Sequence, residues 1–167
     1  MSRGRVIGLL VLAATVVAGT VWIWPPSDRR LIEKQLGGLA AAASVNGAET
    51  SVLQAAGAAR VAAFFTDDAI ISADERSSTV GGRDAVMALA AQARAASRAL
   101  RVEFKDVQIA VSGPSTATAY LTVTISGASP GGETLVDARE VTVAFRKAGR
   151  TWLIARVDAL RTLERAP

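Results

Sequence analysis

Hydrophobic positions along the chain fall into three regimes: a continuous apolar run, then helical spacing, then strict alternation. Val6 to Trp24 runs nineteen positions without a charge. A helix of that length spans ~28 Å, close to the hydrocarbon thickness of a bilayer. A membrane-spanning segment over residues 6–24 is therefore predicted, stopped by Pro25 and Pro26.

Helical spacing follows. Ser27 suits an N-cap and Asp28 the first turn. Leu31, Ile32, Leu36 and Leu39 form one apolar stripe, and Ser44-Val45-Asn46-Gly47 breaks it. A second helix is expected from Glu49 to Phe65, carrying Val52, Leu53, Val61, Phe64 and Phe65, with Gly57 a weak point in its middle. Thr66-Asp67-Asp68 is read as its closing turn and Ala69-Ile70-Ile71 as a short buried strand. Asp74 to Thr79 reads as a loop. Gly81-Gly82 leads into a third helix, Arg83–Ser97, on which Val86, Leu89, Ala90 and Ala93 recur.

After Leu100 the period becomes two. Val102 and Phe104 alternate, the phase slips at Lys105-Asp106, and alternation resumes with Val107, Ile109 and Val111, the signature of a bulge. Gly113-Pro114-Ser115 turns the chain. In Thr116–Ser126, Ala117, Ala119, Leu121, Val123 and Ile125 face one side, and Thr118, Tyr120, Thr122 and Thr124 the other. Ser129-Pro130-Gly131-Gly132 turns again, and Leu135–Arg146 and Thr151–Leu163 make a hairpin around Ala148-Gly149. Helices first and a meander after them predict an α+β domain, its helices on one face of a curved, mainly antiparallel sheet.

Composition refines this picture. Arg3 and Arg5 precede the apolar run, so the positive-inside tendency puts residues 1–5 in the cytoplasm. Trp22 and Trp24 sit where a cleavable signal peptide would place small residues, which favours an uncleaved anchor. Residues 25–30 then form a linker, and the domain from residue 31 to 167 lies in the periplasm or at the cell exterior, beside the inner membrane. Beyond Arg5 the chain keeps 17 of its 19 basic residues against 15 acidic ones, too even a balance for a nucleic-acid surface. The Ala- and Arg-rich usage is that of a bacterial chain. With no Cys there is no disulfide and no thiol-linked lipid.

Phe64-Phe65-Thr66-Asp67-Asp68-Ala69-Ile70-Ile71, Gly81-Gly82-Arg83-Asp84-Ala85-Val86 and the ending Phe145 to Ile154 resemble, in order and spacing, the nuclear-transport-factor-2-like domains, which include the SnoaL-like proteins. The resemblance covers roughly residues 28–165. It implies a cone of three helices wrapped by a bent sheet, a pocket at the wide end, and dimerisation through the sheet. The family includes ketosteroid isomerases, scytalone dehydratase and SnoaL-like cyclases beside carriers and interaction modules, so the fold alone does not give the function.

The chemistry is sparse. With no His, the usual neutral-pH base, His metal ligands and Ser-His pairs are absent, and neither a metal nor a cofactor is expected. By the resemblance, the isomerase base falls on Ala73, with Asp74 one residue late, and residues 28–43 hold no Tyr for an oxyanion site. Asp67 and Asp68 read as turn residues and Gly81-Gly82-Arg83 as a helix entry. The most informative constellation lies on the last hairpin. A turn at Ala148-Gly149 puts Phe145 opposite Trp152, Val141 opposite Arg156 and Arg139 opposite Asp158, all on one side of the sheet with Asp137 nearby. Such a row fits an amphipathic pocket or a rim salt bridge.

Tyr120, Arg139, Trp152, Arg156 and Asp158 are thus the candidate ligand-binding residues, and no catalytic set is assigned. The expected function is a membrane-anchored, non-catalytic interaction or assembly module, its candidate partners a second copy docked through the sheet and membrane-complex proteins. The alternative is a carrier of a small apolar or lipid-like ligand, marked by an open cone not filled by Phe64, Phe65, Phe104 and Trp152. The third is a SnoaL-like isomerase, cyclase or dehydratase with Asp74 or Asp158 as base.

Overall fold

Alternation in the second half of the chain builds a sheet, and the helical stripes of the first half cover one of its faces. The computed structural model describes residues 27–72, 79–97, 99–128 and 134–159. Its elements are α1 (Asp28–Ala43), α2 (Ser51–Ala62), β1 (Phe65–Ser72), β2 (Val80–Gly81), α3 (Arg83–Ala95), β3 (Ala99–Val111), β4 (Thr116–Ala128), β5 (Thr134–Ala148) and β6 (Thr151–Ala159). The sheet order is β2-β1-β6-β5-β4-β3. All neighbours are antiparallel except β1 and β6, which run parallel, so the sheet is mixed. Three helices on a six-stranded sheet give the expected α+β cone. Among the described residues no helix is long and apolar enough to cross a membrane. The predicted span over 6–24, Asp74 and the turn at 129–132 lie outside the described residues.

The core follows the predicted stripes. Ile32, Leu36 and Leu39 of α1 are buried against the inward row Ala117, Ala119 and Leu121 of β4, with Val141, Val143 and Phe145 of β5. Small residues open room for large ones: a Cβ on Gly38 would come within 3.0 Å of the Phe64 ring. Gly57, unfavourable in a helix on propensity alone, is explained the same way, because a Cβ there would lie 2.3 Å from the Arg94 guanidinium.

Two bulges set the phase of the inner face. On β3, Lys105 pairs with Thr122 and Gln108 with Tyr120, and Asp106 takes a φ of 54°, so the predicted slip is where the sequence places it. On β6, Ile154 pairs with Phe145 but Arg156 with Ala144, leaving Ala155 as the extra residue.

Several boundaries differ from the sequence reading, three of them with a clear physical reason. Helix α2 ends at Ala62, since Phe64 O accepts from Ile154 N at 2.8 Å and the chain has already joined the sheet. Thr66-Asp67-Asp68 therefore lies within β1 and is not a turn; Phe65 before it and Ile70 after it pair with Ile154 and Arg156 of β6, and the register shift between those two pairs falls on the segment itself. The last hairpin turns at Gly149-Arg150, where Gly149 supplies a φ of 61°, one residue later than predicted.

Candidate functional site

The inner faces of the strands and helices do not close on each other. They enclose a cavity of about 330 Å³. Its helical wall comes from Leu36 and Leu39 of α1 and from Val86, Leu89 and Ala90 of α3; its sheet wall includes Phe104, Leu121, Val123, Val143 and Val157. The space exists because α1 and α3 present Ala43, Ala90 and Ala93 there instead of large side chains. Phe65 and Phe104 line the cavity without filling it. Leu89 is 45 % exposed, so solvent reaches the wall beside α3.

The described wall holds one ionisable side chain, Arg94, which is only 7 % exposed. Its Nε donates to Glu49 Oε2 and its Nη2 to Glu49 Oε1, both at 3.1 Å, and its Nη1 donates to Ala42 O at 2.8 Å. One guanidinium thus binds α3 to the C-terminus of α1 and to the residue before the N-cap of α2. Removing one partner would leave the other charge buried and unpaired, at a cost of ~3–5 kcal/mol. On its other side Arg94 borders a polar recess of about 380 Å³, shared with Ser44, Asn46 and Arg60.

The residues singled out from sequence are dispersed. None of the five lines the cavity. Tyr120 stands on the outer sheet face, 52 % exposed, in a row with Gln108, Thr142 and Asp158. Arg156 and Asp158 are bonded to each other at 2.7 Å on that same outer face. The Ala155 bulge put them there: one extra residue in a period of two turns every later side chain over. The expected pairings of Arg156 with Val141 and of Asp158 with Arg139 are replaced by Arg156 with Ala144 and Asp158 with Thr142. Arg139 keeps the inner face. It lies opposite Val123, bonded to Asp137 at 2.9 Å, at the rim beyond Val141.

Trp152 is 1 % exposed and pairs with Lys147, not with Phe145. Its Nε1 donates to Asp28 Oδ1 at 3.0 Å, and Lys147 Nζ sits 5.3 Å from its ring centroid. This cluster fastens the start of α1 to the β5–β6 hairpin, whereas the α1 residues lining the cavity, Leu36, Leu39 and Ala43, belong to its second half.

Arg94 and Glu49 escaped the sequence reading, although a signal existed. Arg94 falls four residues after Ala90 and eight after Val86, on the apolar stripe itself. A charge there requires a buried partner, and a helical Gly on a neighbouring element is what makes room for it.

Among solved structures, three likenesses illustrate the fold. A candidate aromatic ring hydroxylase from Novosphingobium aromaticivorans aligns with a TM-score of 0.67 at 16% identity, over 81% of this chain and 90% of that one. An NTF2-like protein with a cystatin-like fold from the same organism gives 0.63 at 17%, over 93% and 90%. A candidate calcium/calmodulin dependent protein kinase II association domain from Xanthomonas campestris gives 0.60 at 12%, over 84% and 94%. At these identities the likeness is one of fold. No curated protein matches the sequence. The sequence profile of the SnoaL-like domain matches residues 50–158, from the N-cap of α2 to the end of β6, and the chain belongs to this SnoaL-like, NTF2-like family.

Proposed function

We propose that the domain holds a small apolar ligand inside its cone, at the outer side of the cytoplasmic membrane. The observation that carries this reading is the cavity of about 330 Å³ with its almost wholly aliphatic and aromatic wall. Sites for small molecules occupy roughly 300–1,000 Å³ and are mostly apolar, with a few polar groups to orient the occupant. A soluble domain that needed only its own stability would gain by closing such a space. Residues 6–24 are the proposed anchor, with Arg3 and Arg5 inside the cell. Native mass spectrometry of the full chain released from detergent micelles tests the ligand: an added mass of roughly a few hundred daltons supports it. A clean chain that also takes up no added hydrocarbon contradicts it.

A second reading, catalysis on the bound molecule, draws support from family membership and from a structural neighbour named as a candidate hydroxylase. Asp158 points away from the cavity in this reading, which leaves Asp74 as the base to test. Loss of turnover in Asp74→Asn with an unchanged fold would establish it. The outer face around Tyr120 is the surface we assign to self-association or to a membrane-complex partner; Tyr120→Arg tests it by the mass of the particle in solution.

A further inference from the structure

Arg94 is the one group among the described cavity residues able to donate a side-chain hydrogen bond. A guanidinium carries five N–H donors. Nε is spent on Glu49, as is one hydrogen of Nη2, and one hydrogen of Nη1 is spent on Ala42 O. One N–H on Nη1 and one on Nη2 are left. The positive charge, by contrast, is already matched by Glu49 at 3.1 Å.

We propose that Arg94 is the specificity residue of the cavity: it receives the oxygen of a neutral, otherwise apolar ligand, while Glu49 keeps free carboxylates out. This rests on the ligand-binding reading above. An uncharged carbonyl or ether oxygen that enters the cavity has lost water, and elsewhere along the wall it meets only hydrocarbon. Turning toward Arg94 restores a hydrogen bond, so the ligand acquires one orientation. A carboxylate entering the same place must lose far more hydration, finds a guanidinium already neutralised, and approaches the like charge of Glu49. Arg60 borders the polar recess on the far side of Arg94 and is itself exposed, where solvent and salt screen its charge.

The test uses the full chain in nanodiscs, with empty nanodiscs correcting for bilayer uptake, and three probes: methyl nonanoate, nonanoate and decane. At about pH 7.5 the acid is ionised and the ester, of the same skeleton, is not. The ester is expected to bind about tenfold or more tighter than nonanoate and decane, and its labelled carbonyl carbon to move downfield as the site saturates. Arg94→Met should erase the ester's advantage over decane while decane still binds. Should that variant fail to fold, Arg94→Met combined with Glu49→Gln removes both charges and leaves neither unpaired. Nonanoate binding as tightly as the ester, or an ester preference surviving in the double variant, overturns the proposal. Saturable binding of decane without any ester preference also overturns it and leaves the ligand-binding reading intact. Absence of saturable binding by all three overturns both.

Discussion

Trp152 Nε1 donates to Asp28 Oδ1 at 3.0 Å, across 124 positions of sequence, and Lys147 Nζ donates to the same oxygen at 2.5 Å. The hydrogen bond from Lys147, and after it the one from Trp152, holds the Asp28 carboxyl below its ordinary value of 3.8. A carboxyl lowered on folding adds stability that is present above its unfolded value and is lost as pH falls through its folded value. Wild-type protein should therefore be more stable than Asp28→Asn at neutral pH. The gap should shrink as pH drops below 3.8. Urea midpoints of both proteins at neutral and at strongly acidic pH check this; a gap that widens in acid contradicts it.

Gly57→Ala sets two effects against each other. Helix propensity favours Ala by ~1 kcal/mol. The new Cβ would meet the Arg94 guanidinium at 2.3–2.4 Å, and moving that group breaks a buried ion pair. Losing such a pair costs ~3–5 kcal/mol, so the net expectation is destabilisation of about 2 kcal/mol or more. Denaturant unfolding measures it. A variant more stable than wild type would show that Arg94 moves aside freely.

Arg156→Ala should do little. The pair with Asp158 is exposed on the outer face, and such pairs are worth under about 1 kcal/mol. Ligand uptake should be unchanged, because neither residue lines the cavity. A marked loss of binding would place the site elsewhere than the cone.

Much of the fold was legible because long periodic stretches carry their own evidence. The stripe Ile32, Leu36, Leu39 and the alternation from Ala117 to Ile125 named the two sides of the core, and the slip at Lys105-Asp106 named a bulge. The candidate site was far less legible. Its predicted pairs were displaced first by the turn at Gly149-Arg150, and Ala155, which carries no marker of a bulge, then sent Arg156 and Asp158 to the other face. The cavity itself is a space left by alanines brought together from different helices, and local pattern does not report missing volume. Thr66 to Asp68 went wrong because the strand is fixed on either side of them, by Phe65 on Ile154 and by Ile70 on Arg156, long-range pairs that their own neighbourhood does not announce.

Xenon enters dry apolar cavities and leaves filled cores alone, so its NMR shift tests the central claim most directly. Wild-type full chain in nanodiscs and an Ala90→Phe variant, whose ring would occupy the space beside α3, are titrated under xenon pressure with empty nanodiscs as reference. The account requires a saturable xenon shift in the wild type that is lost in a folded Ala90→Phe protein. Identical, non-saturating shifts in both would mean that the cone is closed, and the ligand-binding function would fall with it.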